Sequence, residues 1–256
     1  MHEKFILRLT LFGFITILPG AAQEPLLETS RPAIVQIVHQ YILQHPEVLM
    51  ESLRLYQERE RTALKERSRE AVSAKLSDLQ QDPSSPVAGT AGGVTVVEFF
   101  DYRCGFCKKA EGAILKLLAD HPEIQFVFKE FPILGPESAV AAKAGLAAHK
   151  QCGYLKFHRA LMTLPGPITM DAIEELAGKQ GLNVAKLKTD MESPEVQSIL
   201  ERNRELGLGV GVNSTPSFVI GSELVPGAMD AAAFERLIAK AQTNSARHEG
   251  LNTGKE

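Results

Sequence analysis

The sequence predicts an α/β domain carrying a helical insertion and preceded by a helical extension. Three observations carry that expectation. An apolar strand pattern (Val94, Val96, Val97, Phe99, Phe100) runs into a short polar turn, after which Cys107, Ala110, Ile114, Leu117 and Leu118 share one helix face. A second short apolar strand, 217–220, sits directly behind a proline, and residues 135–206 between the two read as a series of capped helices. Ahead of them, 23–81 has helical periodicity and a densely charged middle.

At 256 residues the chain is one large domain or a domain plus an extension, and 44% hydrophobic residues suffice for a core. A net charge of -3 gives no sign of nucleic-acid binding, and three cysteines are few for a disulfide-stapled scaffold. Lys4 and Arg8, the apolar run 9–18 and the small residues Gly20-Ala21-Ala22 mark 1–22 as a secretory signal peptide. Export would place the chain in the periplasm, where disulfides form and persist. No second long apolar segment follows, so a soluble mature protein is expected.

Residues 23–82 form the extension. Ser30 and Pro32 signal a helix start, and Ile34, Ile37, Val38, Tyr41 and Ile42 form an apolar stripe. His45-Pro46 breaks it, and a second helix carries Leu49, Leu53, Tyr56, Leu64, Val72, Leu76 and Leu79. Such a stripe cannot stay exposed, and the segment is too small for a core of its own, so self-association through residues 30–80 is expected. Glu60 and Arg67 interrupt any strict heptad, which argues against a long regular coiled coil.

The main domain is expected over 83–243. A turn-rich linker, 80–93, leaves room for a short first strand at 86–88, and 125–131 is a strand parallel to the one before the cysteines. Lys129 and Glu130 read as its polar end. In the insertion, Thr169, Asn183 and Ser193-Pro194 are expected helix caps. Residues 217–225 form a hairpin around Gly221-Ser222, 230–242 is a closing helix, and 244–256 is a polar tail expected to be disordered.

Cys104-Gly105-Phe106-Cys107 thus sits where a strand feeds the first turn of a helix. Free N–H groups and the helix dipole favour negative charge there, and thiol pKa values in such motifs fall to roughly 3.5–7.5. Cys104 is expected to be the exposed nucleophile and Cys107 the sheltered, resolving thiol. A zinc site usually needs two more ligands, and the remaining cysteine, Cys152, has no partner motif, so no metal is assigned. A purely structural disulfide is a weaker reading, because so short a loop stabilises little. Cys152 reads as a small buried residue or a free thiol, with a regulatory or intermolecular disulfide as the other reading.

Asn213-Ser214-Thr215-Pro216-Ser217-Phe218-Val219-Ile220 adds an X–Pro bond for which a cis form is plausible. Together with the CxxC this resembles the thioredoxin fold. EFFDYRCGFC, FKEFPILGPES and GVNSTPSFVIGSELVPGA resemble its DsbA-type periplasmic branch over 83–241. The resemblance implies a redox pair at Cys104 and Cys107, and a cis-proline at Pro216 that positions substrate together with Thr215. It also implies a buried acid at Glu98 for proton transfer or tuning. Gly105 and Phe106 stand where the strongest oxidants have Pro-His. YILQHPEVLMESL resembles the N-terminal region of the ScsC-type, copper-sensitivity-suppressor branch. Some members of that branch oligomerise through this segment, and a trimeric member is a disulfide isomerase, while others are monomeric. The implied activity is cofactor-free thiol–disulfide exchange on proteins with cysteines or disulfides, with a membrane redox partner. Thr215 and the extension tip the direction toward isomerase or reductase. A DsbA-like oxidase and a Cu(I)-binding module using the CxxC thiolates stay open.

Overall fold

The computed structural model describes residues 25–252, so the expected signal peptide and residues 253–256 lie outside the described residues. The chain divides into two compact units, Met1–Arg59 and Glu60–Glu256. The first holds α1 (Pro25–Gln44) and the start of α2 (Pro46–Ala74). The break at His45 falls where expected, with Pro46 opening α2 at the position where its missing N–H costs nothing. Helix α1 begins earlier than the Ser30–Pro32 signal and contains Pro32, which removes one intrahelical hydrogen bond without ending the helix. Ile37, Tyr41 and Leu43 of α1 and Leu49, Met50 and Leu53 of α2 are all exposed.

The second unit is built on a five-stranded sheet ordered β1-β3-β2-β4-β5. These strands are β1 (Val87–Ala88), β2 (Thr95–Phe100), β3 (Gln125–Glu130), β4 (Ser217–Ile220) and β5 (Glu223–Pro226). β2 and β3 are parallel and the other pairs antiparallel. Helix α4 (Gly105–Asp120) makes the β2–β3 crossover, as a parallel pair requires.

Side chains alternate along each strand, so the sheet buries two different faces. Val96, Phe100, Phe126, Phe128, Phe218 and Ile220 pack with Ile114 and Leu117 of α4 and with Phe234 and Ile238 of α10 (Ala231–Asn252). Val97, Phe99, Val127 and Val219 pack with Leu206 and Val210 of α9 (Pro194–Val210), and with Val72 of α2 and Leu79 of α3 (Leu76–Gln80). Gly207 of α9 permits the close approach, since a Cβ there would stand 2.8 Å from the Phe131 ring.

The second face moves the boundary of the extension. Val72 and Leu79, expected on a stripe of the extension covered by self-association, belong to the core of the second unit. Ser68 Oγ also donates to the Val210 carbonyl (2.7 Å), and Arg69 pairs with Glu223 (3.1 Å). The sheet needs cover on both sides, and α9 alone does not supply it.

The insertion comprises α5 (Pro136–His149), α6 (Tyr154–Met162), α7 (Met170–Lys179), α8 (Val184–Met191) and α9. Thr169, Asn183 and Ser193 cap α7, α8 and α9, accepting from the N–H groups of Ala172, Lys186 and Val196. Cys152, in the α5–α6 turn, is a free thiol that is exposed rather than buried, with φ of 58°. Helix α10 runs to Asn252, through most of the stretch expected to be disordered from residue 244. Once the packing of Phe234 and Ile238 has fixed its start, extension adds a hydrogen bond per residue.

Candidate active site

The sheet register brings the two sequence motifs together. β4 runs antiparallel to β2 with Phe99 opposite Ser217. The residues just before β4, Thr215 and Pro216, therefore arrive beside those just after β2, the turn leading to Cys104. The Thr215–Pro216 peptide is cis. The turn is fastened by Ser217 Oγ donating to the Ser214 carbonyl (2.7 Å) and Gly227 N–H donating to the Pro216 carbonyl (2.8 Å).

Cys104 is the N-cap of α4, and its Sγ accepts from Cys107 N–H at 3.3 Å, one of the donors a helix start leaves unpaired. The thiol also donates to the Thr215 carbonyl at 3.1 Å. This corrects the expectation of an exposed Cys104: the residue is only 5% exposed, because the Thr215 carbonyl lies over its sulfur. Gly105 and Phe106 are the exposed members of the motif, Phe106 at 62%, with Lys109 Nζ 5.4 Å from its ring centre. Cys107 is buried, as expected. Desolvation pushes its thiol far above the usual range, a hydrogen bond from the Asp101 backbone works the other way, and Cys104 and Glu98 push it further up.

Glu98 lies on the α4 face of β2, between Val96 and Phe100. It is buried, and neither carboxylate oxygen has a hydrogen-bond partner among the described residues. Desolvation first, then the charges of Glu111 and Cys104, hold its pKa well above the usual carboxylate value. A raised folded-state pKa means the folded chain binds this proton more tightly than the unfolded one. That contribution to stability is present below the unfolded value of about 4.3 and is lost as pH rises toward the folded value. Glu98→Gln is therefore expected to flatten the decline, with a gain over the parent that grows as pH rises above the unfolded value and almost none at pH 4. Urea unfolding midpoints across that range check it.

The sequence did not disclose Asp101. Its buried carboxylate accepts from Arg103 N–H (2.7 Å), Ser138 Oγ (2.8 Å), Ile133 N–H (2.9 Å) and Leu134 N–H (3.0 Å). It ties the cysteine turn to the segment entering α5.

Lys129 and Glu130 are not a solvated strand end; both are buried, on opposite faces of β3. Lys129 Nζ donates to Asp82 Oδ2 (2.9 Å) and the Asp78 carbonyl (3.1 Å). Glu130 Oε1 accepts from the hydroxyls of Tyr102 and Tyr154, each at 3.0 Å. The available signal was the pattern continuing to Phe131, which keeps the strand inside the core on both faces. Desolvation raises the Glu130 pKa well above the ordinary carboxylate value against the two tyrosine bonds, and Asp101 and Glu98 add to the rise. Among the described residues no group of three or more His, Cys, Asp or Glu is placed to hold a metal ion. No helix among them is long and apolar enough to cross a membrane.

A dithiol at the tip of a helix, facing a cis-proline turn across a mixed sheet, defines a thioredoxin-like fold of the DsbA type, with its helical insertion and N-terminal helical extension. The chain belongs to the family of the DSBA-like thioredoxin domain, whose model matches residues 95–239. Residues 31–63 match the N-terminal domain of copper resistance protein ScsC. Among solved structures, a thioredoxin-like oxidoreductase from Silicibacter pomeroyi DSS-3 is 39% identical, covering 65% of this chain and 97% of its own, at a TM-score of 0.64. BcfH of Salmonella enterica Typhimurium is 26% identical, covering 85% of this chain and 98% of its own, at a TM-score of 0.72. The catalytic domain of Proteus mirabilis ScsC is 27% identical, with coverages of 68% and 97% and a TM-score of 0.62. The first curated match, a Na(+)/H(+) antiporter NhaA of Herminiimonas arsenicoxydans, is 27% identical over 139 residues. The match covers 54% of this chain and 22% of that protein. The chain thus spans about a fifth of the length of the curated relatives it first matches.

Proposed function

We propose that this chain is an exported thiol–disulfide oxidoreductase that acts on protein disulfides in the isomerase or reductase direction. The observation that carries the reading is the position of Cys104 Sγ, at the N-cap of α4, 3.3 Å from Cys107 N and 3.1 Å from the Thr215 carbonyl. In this reading the Cys104 thiolate attacks a substrate disulfide. The substrate S–S bond breaks, a mixed disulfide forms, and the leaving substrate thiolate takes a proton from solvent. Cys107 then gives its proton to Glu98 and attacks Cys104 Sγ. The second substrate sulfur leaves as the Cys104–Cys107 disulfide closes, and the reverse sequence oxidises a dithiol. Thr215 and Pro216 hold the incoming substrate backbone, and the exposed Phe106 ring, beside Gly105, offers apolar contact.

The exposed apolar side chains of α1 and early α2 support self-association through the first unit, a second copy being the surface that matches such a stripe. Oligomerisation would present more than one dithiol to one misfolded substrate, which suits reshuffling. A membrane partner would return the pair to its working redox state. Among the neighbours is a periplasmic thioredoxin-like protein of Salmonella enterica serovar Typhimurium, which supports an exported location.

The test compares the reduced full chain with a version starting at Glu60, where the second compact unit begins, in refolding a scrambled-disulfide substrate. Reshuffling by the full chain alone is expected. Equal reshuffling by both removes the extension from the mechanism. No reshuffling by either, with ready oxidation of a reduced substrate by the oxidised form, replaces the proposal with an oxidase.

A further inference from the structure

The loop that faces the dithiol hangs between two anchored ends, and α2 touches both. Helix α9 ends at Val210, and Gly211 follows with φ of 96°, the left-handed turn that stops a helix. Val212 N–H donates back to the Gly207 carbonyl (2.8 Å), and Val212 is buried. Residues 213–216 then carry the chain to Ser217, the start of β4. Beyond β4 the hairpin returns through Glu223 and Leu224 of β5, and Gly227 N–H closes on the Pro216 carbonyl at 2.8 Å.

Ser68 of α2 grips the entry. The Val210 carbonyl is one of those a helix end leaves without an intrahelical partner, and Ser68 Oγ donates to it at 2.7 Å. A Cβ on Gly211 would stand 3.5 Å from that same oxygen, so the turn lies against α2. One helical turn on, Val72 packs in one cluster with Val210 and Val212. Arg69 reaches the other end. Its Nη2 donates to Glu223 Oε1 at 3.1 Å, and Lys240 of α10 donates to the same oxygen at 2.7 Å. Leu224 packs on the Val72 cluster. The β4–β5 ladder runs from Ile220–Glu223 to Ser217–Pro226, so the hold on Glu223 is carried to the proline turn. All of these groups lie in the second compact unit.

We propose that Ser68 and Arg69 are positioning residues for exchange: from α2 they hold the two ends of the segment that carries Thr215 and Pro216, and so set how the Thr215 carbonyl stands over Cys104 Sγ. The proposal rests on the reading of Thr215 and Pro216 as the edge that holds substrate. Loosening the segment has two opposite consequences. The Thr215 carbonyl stands off from the sulfur, now only 5% exposed beneath it, and opens it to small reagents. A substrate chain meanwhile finds an edge that must first be ordered, and that ordering is subtracted from its affinity.

The experiment uses the full chain with Cys107→Ala and Cys152→Ser, which leaves Cys104 as the one thiol. Two reactions are followed at one pH. In the first, Cys104 sulfur displaces iodide from iodoacetamide. In the second, it attacks a short peptide dimer joined by one disulfide, taking one peptide into a mixed disulfide while the other leaves as a thiol. Ser68→Ala is expected to speed the first and to raise the half-saturating peptide concentration in the second. The ratio of peptide to iodoacetamide rate then falls about three- to tenfold, the scale of one lost hydrogen bond. Ser68→Thr, which keeps the hydroxyl, is expected to stay close to the parent. Arg69→Met, which keeps the length and removes the guanidinium, is expected to lower the ratio in the same way, and decides alone should Ser68→Ala not fold. Mere destabilisation would speed alkylation through the unfolded fraction but leave the half-saturating concentration of the folded one where it was. If the parent takes up the peptide and the half-saturating concentration is unchanged in Ser68→Ala and Arg69→Met, the proposal is overturned and the exchange reading stands. If the parent forms no mixed disulfide with the peptide, both fall.

Discussion

Cys104→Ser is expected to lower exchange by several orders of magnitude, the scale lost when a covalent nucleophile is removed, while the fold is kept. The substitution preserves the N-cap, since a serine hydroxyl accepts from the Cys107 N–H as the sulfur does. Cys107→Ala is expected to fail differently. The chain still attacks but has no thiol to close the pair, so mixed disulfides with substrate accumulate and appear as a reducible shift on a non-reducing gel. Cys152→Ser should change neither outcome, because Cys152 lies in the α5–α6 turn and outside the CxxC pair. Retained turnover in Cys104→Ser would sink the exchange scheme outright.

The second large effect concerns stability. Asp82 accepts from Ser84 N–H (3.0 Å), the Ser84 hydroxyl (2.6 Å), the Ser85 hydroxyl (2.9 Å) and Lys129 Nζ (2.9 Å). Burial pushes its pKa up, but the Ser84 and Lys129 bonds and the Lys129 charge outweigh it and leave it far below the usual carboxylate value. Asp82→Ala would strand a fully buried ammonium, and a loss of about 3–5 kcal/mol is expected in urea unfolding. Lys129→Met, which removes the demand for a partner, is expected to be near neutral, and adding it to Asp82→Ala should recover most of the loss. The sign against pH is opposite to that of Glu98. A depressed carboxylate contributes stability above its unfolded value of about 3.9 and loses it as pH falls through the low folded value, so acid should weaken the parent and leave the Asp82→Ala protein less affected.

What the sequence made legible was local. The strand–CxxC–helix unit, the proline before β4, the helix caps at Thr169, Asn183 and Ser193, and the break at His45 each rest on spacing within a few residues. So did the burial of Cys107, while that of Glu98 was implied by the family resemblance. What escaped depends on which distant segment covers a residue. Cys104 is shielded by a carbonyl from the other end of the domain. Val72 and Leu79 look like part of a self-associating stripe until the sheet's second face is seen to need them. Asp101 looks like an ordinary turn residue until four donors converge on it. Lys129 and Glu130 look like surface charges because their partners, Asp82 and the tyrosines Tyr102 and Tyr154, are remote in sequence or lie beyond a turn.

Lys129 and Glu130 are adjacent, buried and of opposite sign, and they point to opposite sides of β3. Sliding this strand by one residue would exchange its two sides. The ammonium would meet the tyrosine hydroxyls and acids prepared for Glu130, and the carboxylate would meet Asp82. Each would then lack its partner, and one would face a like charge. Neighbouring phenylalanines and valines could trade places in such a slip at modest cost; this pair could not. The central parallel pairing, made early or late, therefore carries its own proofreading, written in two consecutive letters.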